Sequence, residues 1–209
     1  MSIFERDLDK NKANHVPLSP VSFVQRSAEI FGDLPAVIHG ERRYSWSECR
    51  ERSARLGAAL KHLGVGKNQT VSCMLSNTPE MIEAHYAVPA VNAVLNTLNT
   101  RLDAQLIAWQ LNHCEAKVLI TDLEFSSTIE QALKILKSQF NRELTVIDVC
   151  DSEYRDLGQR LGPWEYEELL LAHEPLSNLE GPDDEWDAIA VKHRQRPQIH
   201  WEMRHGPSA

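Results

Sequence analysis

No two cysteines in this 209-residue sequence stand close enough together to form a chelating or redox motif. Cys49, Cys73, Cys114 and Cys150 are scattered without a C-x-x-C pair. The opening Met1 to Lys12 alternates charges and has no apolar core of the kind an export signal needs. Reduced, structural thiols and no metal site are expected. No apolar run is long enough to cross a bilayer, so no membrane span is expected and the chain reads as cytoplasmic. Basic charge is in deficit: 22 Lys and Arg against 30 Asp and Glu give a formal net charge of −8. That field repels a phosphate backbone, so nucleic acid is not an expected partner. Low-complexity tracts and internal repeats are missing as well, which argues against disorder as an overall description. With 42% apolar and 25% charged residues, the chain suits one domain or most of one.

What is present alternates regularly. Ser19-Pro20 is a helix start, and a helix to about Phe31 is stopped by Gly32. Ala36 to His39 and Arg42 to Ser45 read as a hairpin around Gly40-Glu41. Ser45-Trp46-Ser47-Glu48 has capping-box spacing, followed by apolar steps at Trp46, Cys49, Ser53, Leu56, Leu60 and Leu63. Gly64 and Gly66 end that helix, and Thr70 to Leu75 suits a buried strand. Asn77-Thr78-Pro79-Glu80 caps the next helix, whose apolar side is read as Met81, Ile82, His85 and Tyr86, with Pro89 ending or kinking it. Strands near Ala93–Leu98, Lys117–Thr121 and Leu144–Val149 then alternate with helices after Asp103 and near Glu124–Lys137. A short helix at Trp164–Ala172 and a last strand at Asp187–Val191 complete the pattern. The expected class is α/β: a mostly parallel sheet flanked by helices, with the early β-hairpin as an antiparallel addition.

After Val191 the character changes. Lys192-His193-Arg194-Gln195-Arg196-Pro197 has no helical or strand period, and residues 192–209 hold four basic side chains and one acidic. The break divides the chain into an arm at 1–16, a domain at 17–191, and a basic tail at 192–209 that is expected to be disordered. So abrupt a change fits an out-of-frame or substituted terminus better than a designed element.

Several segments together resemble a known family. Pro35-Ala36-Val37-Ile38-His39-Gly40 with Arg43-Tyr44-Ser45-Trp46, then Leu63-Gly64-Val65-Gly66-Lys67, Ser76-Asn77-Thr78-Pro79-Glu80, Ala93 through Leu102 (AVLNTLNTRL), and Ala116 through Asp122 fall in the order found in AMP-forming acyl-CoA synthetases. The NTLNTRLD run is similar to bacterial fatty-acyl-CoA synthetases in particular. The resemblance implies the N-terminal part of an adenylation domain. It also implies an enzyme that joins a fatty acid to AMP from ATP with Mg2+, and then passes the acyl group to coenzyme A. In such relatives a loop close to YTSGTTGxPKG follows the strand that Asp187–Val191 resembles, and here Lys192 to Pro197 stand in its place. The resemblance therefore implies a truncated synthetase, inactive alone, with no catalytic, cofactor-binding or metal residue assigned and no cofactor expected for this chain by itself. A non-catalytic fragment that associates with a complementary or full-length synthetase is the alternative, because an incomplete sheet leaves an edge open to self-association.

Other motifs carry less. Gly64-x-Gly66-Lys67 closes a helix and precedes a strand, the reverse of a phosphate loop. The histidines of His200-Trp201-Glu202-Met203-Arg204-His205 are spaced wrongly for a zinc helix. His113-Cys114-Glu115 reads as a helix terminus with a buried thiol, and His85 as a packed histidine. Asn96, Thr97, Asn99, Thr100 and Arg101 either line a cleft or satisfy loop amides, with structure the favoured role.

Overall fold

The computed structural model describes residues 6, 7, 9, 11, 13–151 and 158–193. Positions 194–209, which carry most of the basic tail and the His200 to His205 stretch, lie outside the described residues. The first elements form where local chemistry dictates. In α1 (Pro20–Phe31) Ser19 Oγ accepts from Val21 N, and Gly32 follows the last turn. β1 (Pro35–His39) pairs antiparallel with β2 (Arg42–Ser45) across a turn in which Gly40 takes a φ of 54°, a conformation that disfavours a Cβ. α2 (Trp46–His62) has the complete capping box, Glu48 N donating to Ser45 Oγ at 3.2 Å and Ser45 N to Glu48 Oε2 at 2.7 Å. Such a cap contributes about 1 kcal/mol.

The main sheet contains β3 (Thr70–Met74), β4 (Val94–Thr97), β5 (Ala116–Asp122), β6 (Thr145–Val149), β7 (Trp164–Glu165) and β8 (Ala190–Val191). Their spatial order is β7-β6-β5-β3-β4-β8, and every neighbouring pair is parallel. Helices α3 (Pro79–Ala90), α4 (Ala104–His113), α5 (Ser126–Phe140) and α6 (Tyr166–Leu171) lie between or beside the strands. The two-residue period of β5 separates the layers. Val118 and Ile120 pack with Leu56, Ala84 and Leu169 of α2, α3 and α6, whereas Leu119 packs with Ile107, Leu111 and Ile129 of α4 and α5. The α/β class with its early hairpin is thus observed.

Three local expectations are corrected. Trp164 and Glu165 form β7 against Ile147 and Asp148, and the helix begins only at Tyr166; two residues are too few to show a strand period. The last strand shrinks to Ala190–Val191, with a single partner in β4. On α3 the expected apolar side is split: Met81 and Tyr86 pack against the core, but Ile82 and His85 are exposed, while Glu80, Glu83, Ala84, Ala87 and Val88 are buried.

Buried acids on α3 persist because arginines meet them. Arg52 of α2 donates from Nε to Glu83 Oε1 at 2.6 Å, and from Nη1 and Nη2 to Glu167 at 2.8 and 2.6 Å. Tyr166 Oη donates to Glu83 Oε2 at 2.7 Å, and the guanidinium lies 4.6 Å over the Tyr44 ring. Burial opposes the charge on Arg52, yet its bonds to Glu167 and Glu83 hold its pKa above the ordinary arginine range. Burial pushes the Glu83 carboxyl up to about 7 against the pull of Arg52 and Tyr166. Hairpin, α2, α3 and α6 are joined at this one guanidinium.

Candidate functional site

In an open parallel sheet, ligands bind outside the carboxyl ends of the strands, where the connections diverge. Here the chain leaves β3 for β4 on one side and leaves β5 for β6 on the other, so the divergence falls between β3 and β5. Ser76 follows β3 and Glu124 follows β5, and the Ser76 hydroxyl donates to Glu124 Oε1 across the gap. Behind them lie three buried carboxylates, Glu80, Asp122 and Asp151. The hairpin covers this group. Arg42 Nη1 donates to Glu80 Oε1 at 2.6 Å, Arg42 Nη2 stands 3.5 Å from Asp151 Oδ1, and His39 Nε2 is 2.9 Å from Asp151 Oδ2.

Charge crowding shows in Asp122. Burial pushes its carboxyl up to about 6, helped by the charges of Glu124, Asp151 and Glu80 and opposed by the Glu124 amide, which donates to Asp122 Oδ1 at 3.0 Å. The folded chain therefore holds this proton more tightly than the unfolded chain does. Its contribution to stability is complete below the ordinary aspartate pKa and is lost as pH rises through about 6. We expect Asp122→Asn, which keeps an acceptor for the Glu124 amide, to raise the urea midpoint relative to wild type at pH 8 and to lose that advantage by pH 4. A midpoint difference independent of pH would show that Asp122 titrates normally.

The open part of the rim lies at the other end, past β4 and β8. Thr97, Leu98, Asn99, Leu102 and Gln110, with Lys192 and His193, line a cleft of about 370 Å³. Trp109 and His113 stack at 4.8 Å on α4, and His193 meets both edge-on at 5.7 and 5.4 Å. Burial and the neighbouring His113 lower the His193 pKa.

The polar run after β4 divides its roles. Asn96 is fully buried, donating from Nδ2 to Ser72 Oγ at 3.0 Å and to Cys114 Sγ at 3.3 Å. Thr97 and Asn99 line the cleft, and Asn99 Oδ1 also accepts from Arg101 N at 2.9 Å. Thr100 and Arg101 are exposed. His85 is exposed instead of packed, its Nδ1 2.7 Å from Met81 O. Cys114 caps α4 and Glu115 takes a φ of 51°, as a helix terminus requires. Gly64, with φ of 75°, closes α2. Thr78 is the N-cap of α3 as expected, but its hydroxyl makes no capping hydrogen bond. Burial pushes the Cys49 and Cys73 thiols up to about 11 and about 12, the behaviour of unreactive core thiols. The Arg42, Glu80, Asp122 and Asp151 group was not legible beforehand, because its members are separated in sequence and three of them sit at strand or helix ends.

The sequence matches the family model of AMP-binding enzymes over residues 24–190. The chain belongs to the AMP-binding enzyme family. It is 37% identical over 192 residues to an acetate–CoA ligase of Humulus lupulus, covering 88% of this chain and 34% of that one. A peroxisomal benzoate–CoA ligase of Arabidopsis thaliana is 35% identical over 192 residues, covering 90% and 33%. An anthranilate CoA ligase solved with anthranoyl-AMP shares the fold, with a TM-score of 0.72 at 19% identity over 84% of this chain and 32% of that one. The chain thus spans about a third of the length of the relatives it matches. Among AMP-binding enzymes it represents the opening sheet and hairpin. Among the described residues no helix is long and apolar enough to cross a membrane, and no group of three or more His, Cys, Asp or Glu is arranged to hold a metal ion.

Proposed function

We propose that this chain is the opening portion of a fatty-acyl-CoA ligase and that the 209 residues do not form an acyl adenylate by themselves. In the complete reaction a carboxylate oxygen attacks the α-phosphate of ATP, pyrophosphate leaves, and the thiol of coenzyme A then displaces AMP from the acyl carbon. The first step brings two anions together and requires the phosphate charge to be masked by a cation and by backbone amides free of side chains. One observation carries the proposal: the family match runs to Ala190, at β8, and the chain continues without a glycine, serine or threonine from Lys192 to His205. At that position Lys192 and His193 line the rim cleft with side chains, so the residues present do not fit a triphosphate. The names of the relatives support an acid as substrate, acetate and benzoate among them. The NTLNTRLD run at 96–103 supports the fatty-acyl class.

The test is ATP–pyrophosphate exchange with Mg2+ and a series of straight-chain acids from acetate to palmitate. No exchange above the protein-free blank is expected from the 209-residue chain. Saturable, acid-dependent exchange would overturn the proposal.

A further inference from the structure

At the end of the sheet opposite the cleft past β4 and β8, residues 158–162 run back along β6 as a strap leading to β7. Two glycines pin it. A Cβ on Gly158 would collide with Leu123 O, and one on Gly162 with Val146 O, so both ends lie directly against the body of the domain. Gln159 N donates to Ser126 Oγ at 3.2 Å, while Leu161 N and Gly162 N donate to Asp148 Oδ2 at 3.0 and 2.8 Å. Between the anchored strap and α5 a cleft of about 540 Å³ remains, within the size range of small-molecule sites.

Its walls have two characters. Leu133, Leu144, Val146 and Leu161 supply apolar surface. The rim holds four cationic side chains, those of Lys134, Lys137, Arg142 and Arg160, against the carboxylates of Glu130 and Glu143. A cationic excess on a chain of net charge −8 is a local reversal of field. Arg142 is committed, donating to the carbonyls of Asn112 and Ala116. Lys134 and Arg160 are held less firmly: Lys134 pairs with Glu130 at 2.8 Å, and Arg160 Nη2 lies 3.5 Å from both Glu168 Oε2 and the Pro163 carbonyl, exposed contacts of small energetic consequence that are easily exchanged for a ligand.

We propose that this cleft binds an amphiphilic anion, with its carboxylate or sulfate head at Lys134 and Arg160 and a short apolar body against Leu133, Leu144 and Leu161. None of these residues belongs to the rim cleft, and the inference is independent of the adenylation reading.

Methyl-detected NMR titration of the full chain tests it with four probes: octanoate, octyl sulfate, octyltrimethylammonium and acetate. Saturable shifts of the Leu133, Leu144 and Leu161 methyls are expected with octanoate and octyl sulfate, at a Kd of about 1 mM or tighter. The octyl cation and acetate, which lack the right head or the body, should bind at least about tenfold more weakly. Charge reversal by Lys134→Glu with Arg160→Glu, both at the surface, should weaken octanoate about tenfold, and Leu133→Trp should occupy the apolar wall and abolish the shifts. The proposal fails if the cleft methyls do not saturate by roughly 5 mM octanoate. Equal binding of the cation would also sink it, as would shifts confined to Leu98 and Leu102 in the rim cleft.

Discussion

Arg52→Ala is expected to destabilise the chain by about 3–5 kcal/mol, the range for stranding one member of a buried ion pair. Truncation leaves Glu83, 2% exposed, with the Tyr166 hydroxyl as its remaining donor, and it removes the clamp on Glu167 and the cation above Tyr44. The loss depends on pH in a direction that can be worked out. Arg52 draws the Glu83 pKa downward, to about 7 from where burial alone would place it. Without the guanidinium the carboxyl holds its proton to still higher pH. The penalty of ionising it in the interior is then felt fully only above that raised value. Urea unfolding should therefore show a larger deficit for Arg52→Ala at pH 9 than at pH 6. Adding Glu83→Gln should recover part of it at pH 9, because a neutral amide needs no counter-ion. A single-variant loss below about 1 kcal/mol at both pH values would mean that the pair behaves as a solvated surface contact.

Gly162→Ala is expected to cost about 3 kcal/mol, as overpacking against backbone together with loss of hydrogen bonds to a charged group. The added methyl meets Val146 O, a carbonyl within β6 that cannot swing aside as a side-chain tip would. The strap must lift, and Asp148, 1% exposed, then loses the Leu161 and Gly162 amides. Hydrogen exchange offers a second measurement, since those two amides should lose protection by at least about tenfold more than the amides of β5. A variant within about 1 kcal/mol of wild type, with both amides still protected, would show that the segment accommodates a side chain.

These two sites also mark how far the sequence could be read. Elements with a local chemical signature emerged at their true positions: Ser19-Pro20 opened α1, the Ser45 to Glu48 box opened α2, and Gly64 closed it. The parallel sheet followed from apolar runs of strand length between amphipathic helices. Failures came where distant partners overrode local pattern. On α3, hydropathy put Ile82 and His85 inward beside Met81 and Tyr86, but Arg42 and Arg52, supplied by β2 and α2, neutralise Glu80 and Glu83 and let those acids turn in, which leaves Ile82 and His85 outside. β7 is too short to show a period and exists because Asp148 and the two strap glycines bring it beside β6. For the site, the polar run from Asn96 to Arg101 was visible as a choice between cleft and loop, and the fold assigns residues to each. The carboxylate group behind Ser76 and Glu124 was invisible, because its members come from separate strand and helix ends that only the sheet order brings together.

The strand order also bears on how the chain is made. β4 ends at Thr97, whereas the strand that pairs with its outer side begins at Ala190. During synthesis at about 5–20 residues per second, that flank waits on the order of 5–20 s for its partner to leave the ribosome. The other strands are free to pair in the meantime, so β8 is expected to add last, by the most distant loop closure in the sheet. Throughout that interval the nascent protein presents the backbone of Val94–Thr97 as a bare template, and this is the stage at which a chaperone, or an identical nascent chain, has its chance to bind.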